Sequence, residues 1–142
     1  MFNGFERHNI EEKGRLAVPA KFRKDIEDSM VVITRGYDGC LTIYTLQEWR
    51  IFEERLSKLT MADPRARRTI RWFCGNAEVL KLDRQGRVNI PQHLLDFAGV
   101  KKEVVITGIL NHLEVWSIEN YERQNLSGDP SEIEGIEGME VL

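Results

Sequence analysis

Cysteine, proline and long apolar runs are scarce in this chain, and each scarcity excludes a class of protein. Only two cysteines occur among 142 residues, Cys40 and Cys74, and they form no CxxC motif. A disulfide scaffold or a cysteine zinc site is therefore not expected. No apolar run approaches the roughly 20 residues that cross a bilayer, and the first residues lack the basic start and apolar core of a secretory signal. We therefore expect a reduced, cytoplasmic protein.

The sequence also lacks the spacings that support catalysis or metal binding. His8, His93 and His112 have no ligand spacing, and the aromatic neighbours of Cys74 predict a core position rather than a nucleophile. No glycine-rich phosphate loop, HExxH motif or nucleophile elbow is present. We therefore predict that the chain is not an enzyme and has no catalytic residue, metal, cofactor, small-molecule substrate or membrane partner.

Positive charge is not in excess overall, but it is unevenly distributed. The net charge is −3, from 20 basic and 23 acidic residues. Residues 125–142 carry five acids and no Lys or Arg, so residues 1–124 hold 20 basic and 18 acidic groups. The most basic stretches are residues 1–24, with six basic and three acidic residues, and residues 63–87, with seven basic and three acidic residues. Such zones can bind a polyanion although the whole chain is acidic.

The sequence contains an internal repeat. Residues 11–19, Glu-Glu-Lys-Gly-Arg-Leu-Ala-Val-Pro, align with residues 83–91, Asp-Arg-Gln-Gly-Arg-Val-Asn-Ile-Pro, at an offset of 72. Two further blocks follow in the same order: 31–34 with 104–107, and 41–44 with 113–116. We interpret the chain as two copies of one unit.

Each copy predicts a hairpin that leads into a short helix and two more strands. Gly14 and Gly86 end the hairpin connections, where the backbone needs a positive φ. Asp83 and Arg87 are expected to face each other across the neck of the second hairpin. Helix signals follow, with starts at Pro19, Thr45, Asp63, Pro91 and Ser117 and a stop at Gly99.

The repeat and these signals predict the organisation of the chain. Residues 5–47 form the first repeat, 48–75 the linking helices, 76–119 the second repeat, 120–124 the end of a C-terminal helix, and 125–142 an acidic disordered tail. Within the linking helices, Arg65, Arg67, Arg68 and Arg71 are interpreted as a solvated or interface surface rather than a DNA contact. The tryptophans, Trp49, Trp72 and Trp116, are interpreted as core or interface anchors.

The repeated hairpin resembles a known family. Residues 11–23 and 82–91 are similar to the doubled DxxxR signature of the MraZ family, which belongs to the AbrB-like swapped-hairpin DNA-binding proteins. The resemblance extends from residue 1 to about residue 124, including Phe2, Gly4 and residues 114–116. It implies an α+β fold of two duplicated AbrB-like swapped-hairpin β-barrel units with short helices, related by a pseudo-two-fold axis.

The resemblance also implies a function. Members of this family regulate transcription of the division and cell-wall gene cluster, bind repeated G-containing promoter boxes of their own operon, and form ring-shaped homo-oligomers. We therefore expect a nucleoid-associated regulator, in the simplest case a repressor, with double-stranded promoter DNA and its own copies as partners. Repression and activation are distinguished by where the boxes lie, which the protein sequence does not contain.

The family's motif residues fall on four positions of this sequence. Its arginine falls on Arg15 and Arg87, and its acid, expected to orient the arginine, falls on Glu11 and Asp83. Glu11 departs from the pattern because the family has Asp there, and the extra methylene is expected to loosen the acid–arginine contact of the first hairpin. The orienting role is therefore expected more firmly at Asp83.

The chemistry of these residue types agrees with the resemblance. A guanidinium held at a hairpin neck matches O6 and N7 of guanine, and such a pair discriminates between bases by about 1–3 kcal/mol. We expect Arg15 to be exposed for this purpose. The neighbouring cations Lys13, Lys21, Arg23 and Arg84 are candidates for phosphate contacts, which position the protein without reading sequence.

Three alternatives remain open at this stage. The acid–arginine pairs can be ordinary exposed cross-strand pairs, worth about 0–1 kcal/mol. The chain can be a swapped-hairpin protein-binding module, similar to an antitoxin, that uses its acidic C-terminal tail, although antitoxins of this type carry one motif copy per chain. It can also be an oligomeric scaffold without DNA affinity, which would not explain where the arginines lie.

Overall fold

The computed structural model describes residues 1–125, which form an α+β fold. Its strands are β1 (Phe5–Asn9), β2 (Arg15–Ala17), β3 (Met30–Arg35), β4 (Leu41–Thr45), β5 (Glu78–Lys81), β6 (Arg87–Asn89), β7 (Glu103–Ile109) and β8 (His112–Ser117). Its helices are α1 (Ala20–Arg23), α2 (Leu46–Ser57), α3 (Pro64–Cys74), α4 (Gln92–Ala98) and α5 (Ile118–Asn125). The acidic tail predicted at the C-terminus lies, from residue 126 onwards, outside the described residues.

The strands form two antiparallel sheets that join the two repeats. A six-stranded sheet has the order β1-β7-β8-β4-β3-β5, and β2 pairs with β6 in a two-stranded ribbon. The first strand of each repeat pairs with the third strand of the other, so that Glu6 lies opposite Ile106 and Glu78 lies opposite Ile33. The same register therefore occurs twice, with the repeats exchanged.

The predicted hairpins differ from the observed arrangement in one respect. The arms of each turn do not form a ladder with each other, because β1 and β2 belong to different sheets, as do β5 and β6. Each arm pairs with the other repeat, where apolar partners such as Val104 and Val31 are fully buried. Of each predicted hairpin, the structure keeps the backbone hydrogen bond that closes the turn, from Glu11 to Arg15 in the first and from Asp83 to Arg87 in the second.

The main core lies between the ribbon and one face of the six-stranded sheet. Leu16 and Val88, directly opposite each other in the ribbon, are buried against the strand residues Val31, Ile33 and Val104. On the other face of the sheet, α2 covers a cluster built on Val32, Tyr44 and Trp49, and α5 covers one built on Cys40, Val105 and Trp116. This packing confirms that the repeated apolar blocks are core strands.

The predicted helix starts, and the stop at Gly99, are confirmed. The side chains of Thr45, Asp63 and Ser117 accept hydrogen bonds from the backbone N–H groups of Glu48, Arg65 and Asn120, at 3.2, 2.9 and 3.1 Å. Pro19 and Pro91 directly precede α1 and α4, and Gly99 ends α4 with φ of 67°. No helix of the described residues is long and apolar enough to span a membrane.

One prediction on α3 is wrong, because Cys74 is exposed rather than in the core. Trp49 and Trp116 are buried as predicted, whereas Trp72, predicted as a core or interface anchor, lies outside the core with 37% of its surface exposed. The reason is the helix face, because α3 buries Ala66 and Phe73 and leaves its other positions near solvent. The indole N–H of Trp72 donates to the carbonyl oxygen of Gly36 at 3.3 Å.

Candidate nucleic-acid interface

The signature residues occupy two turns, which we call the first turn (residues 11–15) and the second turn (residues 83–87). In the first turn the N–H of Glu11 donates to the carbonyl oxygen of Arg15 at 2.7 Å, and in the second the N–H of Asp83 donates to that of Arg87 at 2.9 Å. The predicted pairing of Asp83 and Arg87 at the neck is therefore present in the backbone.

Each turn is tied to the strand that leaves the other turn. The N–H of Val18 donates to the carbonyl oxygen of Gly86, and the N–H of Ile90 donates to that of Gly14, both at 2.9 Å. These two bonds are equivalent under the offset of the repeat. The turns therefore lie side by side, each held in place by the other repeat.

The ribbon places the two motif arginines on one surface. Arg15 lies opposite Asn89, and Arg87 lies opposite Ala17, while the intervening residues face the core. Because side chains alternate along a strand, these four residues share the outward face. Arg15 is half-buried rather than exposed as predicted.

The acid of the first turn pairs with the arginine of the second turn. Nε of Arg87 lies 2.8 Å from Oε2 of Glu11, and Nη1 of Arg87 donates to Oε1 of Gln85. Arg15 instead makes a long bond of 3.4 Å from Nε to the carbonyl oxygen of Glu12. The expectation that Glu11 holds Arg15 of its own hairpin is therefore wrong. The longer Glu side chain crosses to the other repeat.

Asp83 binds the backbone of its own turn. Its Oδ1 accepts hydrogen bonds from the N–H groups of Gln85 and Arg87, at 2.8 and 2.9 Å. The bond from the Arg87 N–H, helped by the one from Gln85 and by the charges of Arg87 and Arg15, lowers the pKa of the Asp83 carboxyl below its ordinary value. Within residues 1–125, no ion pair under 4.0 Å joins Asp83 to an arginine, so its predicted contact with the Arg87 guanidinium is absent.

Both turn glycines are required by the backbone. Gly14 has φ of 74° and Gly86 has φ of 77°. A Cβ on Gly14 would lie 2.7 Å from the carbonyl oxygen of Ile90, and one on Gly86 would lie 2.5 Å from Nη1 of Arg23. Their prediction as turn glycines is confirmed.

Three of the four predicted phosphate contacts lie at the turns. Lys13 and Arg84 are exposed on the first and second turns, and Arg23 packs over Gly86. Arg23 and Arg84 line a cleft of about 260 Å³, and Nε of Arg23 is buried without a hydrogen-bond partner in the described part of the chain. Lys21 is engaged elsewhere, because its ammonium lies 3.5 Å from Glu6 of β1.

Two residues of this surface are not among the predicted site residues. Gln85 contacts Arg87, and Asn89 lies opposite Arg15 in the ribbon. The alternation after the turn already predicts that Asn89 faces outward, and Asn is a residue type that reads adenine. The contact of Gln85 depends on side-chain conformation, for which the sequence holds no signal. No cluster of His, Cys, Asp and Glu among residues 1–125 could hold a metal ion.

Comparisons with known proteins agree with this geometry. A family model described as "MraZ protein, putative antitoxin-like" matches residues 1–72 and 73–130. The chain belongs to the MraZ family. The two matched segments begin 72 residues apart, which equals the offset of the sequence repeat. The resemblance to the MraZ family predicted from the two turns is therefore confirmed.

Relatives in the MraZ family match nearly the whole chain. Proteins named "Transcriptional regulator MraZ" are 48% identical over 122 residues in Ligilactobacillus salivarius and 43% identical over 127 residues in Natranaerobius thermophilus. These matches cover 86% and 87% of this chain and 85% and 88% of the relatives. A third, from Alkaliphilus metalliredigens, is 37% identical over 142 residues, covering 100% of this chain and 99% of its own. The names describe regulators, which supports the prediction that the chain is not an enzyme.

Proposed function

We propose that this protein is a sequence-specific DNA-binding regulator of transcription that binds promoter DNA with the outward face of the β2–β6 ribbon and its two turns. The observation that carries the proposal is the convergence of Glu11, Arg15, Asp83 and Arg87, from two distant parts of the sequence, on one surface. Buried partners below the ribbon fix this surface, so the arginines lose little freedom when they bind. Its targets are repeated G-containing boxes of the division and cell-wall gene cluster, where it acts as a repressor at the nucleoid.

The residues divide between base and phosphate contacts. Arg15 and Arg87 are assigned to base edges because they lie on the outward face of the ribbon. Lys13, Arg23 and Arg84 are assigned to phosphates because they flank the turns, and their contribution should appear as a dependence of affinity on salt. The exchanged strand pairing supports a swapped-hairpin barrel in which a pseudo-two-fold axis relates the repeats.

A ring-shaped homo-oligomer would explain how a chain of net negative charge binds DNA tightly. One subunit offers few cations, whereas a ring repeats the same surface at fixed intervals. Binding of a second box is then effectively intramolecular and raises avidity by about 10²–10⁴. We therefore expect tight binding to two boxes that lie on the same side of the duplex, and weaker binding when about half a helical turn is inserted between them.

Retardation of DNA from upstream of the gene's own operon tests the proposal. Arg15→Ala should weaken binding to this DNA by about 5- to 150-fold, the loss of one bidentate base contact, and leave binding to a shuffled fragment nearly unchanged. Arg7→Ala is the matched control, because it also removes one surface arginine, which lies in the six-stranded sheet rather than in the ribbon, 3.6 Å from Glu103. Equal effects of the two variants would contradict the proposal.

The antitoxin-like alternative and the DNA-binding proposal make different predictions for deletion of the acidic tail. The matching family description includes the words "antitoxin-like". If the protein acts through DNA, deletion of residues 126–142 should keep specific DNA binding and raise non-specific affinity modestly, because five acidic groups are removed. If it acts through a protein partner held by the tail, the deletion should abolish function while DNA binding is absent in both forms.

A further inference from the structure

The ion pair between Glu11 and Arg87 is the contact that joins the two signature motifs. It links residues 76 positions apart in the sequence, over 2.8 Å, and both side chains are partly buried, with 40% and 31% of their surfaces exposed. Glu11 contacts Nε, while Gln85 contacts Nη1 of the same guanidinium. A carboxylate beside Nε and an acceptor on Nη1 restrict the orientation of the group, and neither of these two contacts occupies Nη2.

We propose that Glu11 is a positioning residue that holds Arg87 of the other repeat in the orientation needed to contact DNA, so that the two repeats read DNA as one unit. The inference rests on the proposed function, and it reverses the assignment in which each motif acid serves the arginine of its own hairpin. A planar guanidinium with a fixed orientation loses less freedom on binding a base edge than one that is free to rotate.

Comparison with the reciprocal pair shows what the glutamate at position 11 makes possible. Repeat symmetry would place Asp83 against Arg15, yet in the described range no ion pair joins them within 4.0 Å, and Arg15 acts on Asp83 only through its charge. Asp83 is one methylene shorter, and its Oδ1 is occupied by two backbone N–H groups. The Glu11 side chain has the reach to cross the ribbon, and among the described residues it accepts no hydrogen bond from its own turn.

A double-mutant cycle on DNA binding tests this assignment. Affinity for the upstream operon fragment would be measured for E11A, R87A and R15A and for the double variants E11A/R87A and E11A/R15A. E103A is the matched control, because it removes one acid from the other cross-repeat pair, where Arg7 and Glu103 are 3.6 Å apart. Both single acid variants change the net charge equally. E11A removes its acid at the ribbon, where the loss of negative charge alone would strengthen DNA binding, so weaker binding of E11A than of E103A reports on the position of Arg87.

The expected pattern is specific to the cross-repeat pair. E11A should bind about two- to fivefold more weakly than E103A, the size of a half-exposed ion pair. E11A/R87A should bind no more weakly than R87A, whereas the effects of E11A and R15A should multiply. E11D should behave as E11A, because the shorter side chain does not reach Arg87. Thermal unfolding would confirm that all variants remain folded.

Three results would overturn the inference: equal affinities of E11A and E103A, multiplying effects of E11A and R87A, or an effect of E11A that disappears when Arg15 is absent. The proposed function fails differently. In that event the unmodified protein does not distinguish its upstream DNA from a shuffled fragment, which is measured before any variant is compared.

Discussion

The two turns share a backbone but not a chemistry. Both close with the same hydrogen bond, both contain a glycine with positive φ, and each accepts an N–H from the other repeat. Besides the glycine, the two turns share the final arginine, and their other three residues differ. The first turn holds two acids, Glu11 and Glu12, and packs against Leu95, whereas the second holds Asp83 and Arg84 and packs beneath Arg23.

This difference shows which features the fold requires and which serve binding. Arg23 and Leu95 occupy equivalent positions of the repeat, and each contacts the glycine of the opposite turn. Both copies therefore keep the same backbone constraints. The additional positive charge, from Arg23 and Arg84, lies at the second turn. The second turn, with Arg23 and Arg84, attracts a polyanion more strongly than the first, so the symmetric scaffold presents an asymmetric surface.

The largest expected difference between the turns concerns their glycines. Gly14→Ala should lower the free energy of unfolding by about 2–4 kcal/mol, since it adds a clash with the backbone of Ile90 to the strain of a positive φ. Gly86→Ala should cost about 1–2 kcal/mol, because the neighbouring atoms belong to the long side chain of Arg23, which can move. Denaturant unfolding of both variants measures the difference. Equal losses would show that the turns are equally constrained.

The second prediction removes the charge difference between the turns. Arg23→Leu gives the second turn the residue type that the first turn has in Leu95. The slope of log affinity for DNA against log salt should become shallower by about 0.9, the loss of one phosphate contact. Stability should be kept or increased, because the buried Nε of Arg23 has no partner in the described range. Arg50→Leu on the exposed side of α2 is the control, and an equal change of slope there would refute the contact.

Much of this comparison could be predicted from the sequence. The offset of 72 identified the equivalent positions, and the alternation around Leu16 and Val88 identified the inward and outward residues, because both depend only on local periodicity. The strand partners could not be predicted, since β1 and β5 have suitable apolar partners in either repeat. The partner of Glu11 could not be predicted either, because a single methylene decides whether the carboxylate reaches its own turn or crosses the ribbon.

The third prediction compares the two motif acids by the thermal stability of their variants and by how that stability depends on pH. Asp83→Ala should lower the midpoint of thermal unfolding by a few degrees near neutral pH, because two turn N–H groups lose their acceptor. Asp83→Asn should lose less, since its side-chain oxygen can still accept both bonds. Glu11→Ala should change the midpoint less than Asp83→Ala, because within residues 1–125 the Glu11 side chain accepts no hydrogen bond from the N–H groups of its turn.

The pH dependence of this difference follows from the lowered pKa of Asp83. A carboxyl whose pKa is lower in the folded state stabilises the fold above its unfolded pKa, and this contribution is lost as the pH falls through the folded value. The gap between the unmodified protein and Asp83→Ala should therefore be constant above the ordinary value of 3.8 and shrink below it. A gap that does not shrink as the pH falls below this ordinary value would contradict the role of the ionised carboxylate.

The smallest effect is expected at Lys21, the predicted phosphate contact that the structure brings into an ion pair. Lys21 of α1 lies 3.5 Å from Glu6 of β1, and the equivalent residues of the second repeat, His93 and Glu78, lie 3.6 Å apart. Because the same pairing of helix and strand occurs in both repeats, it serves the fold rather than one DNA-binding turn. Lys21→Ala should therefore cost at most about 1 kcal/mol of stability, as expected for a half-exposed pair. The salt slope of DNA binding should stay unchanged, in contrast to Arg23→Leu, and a slope reduced by about 0.9 would instead return Lys21 to the phosphate contacts.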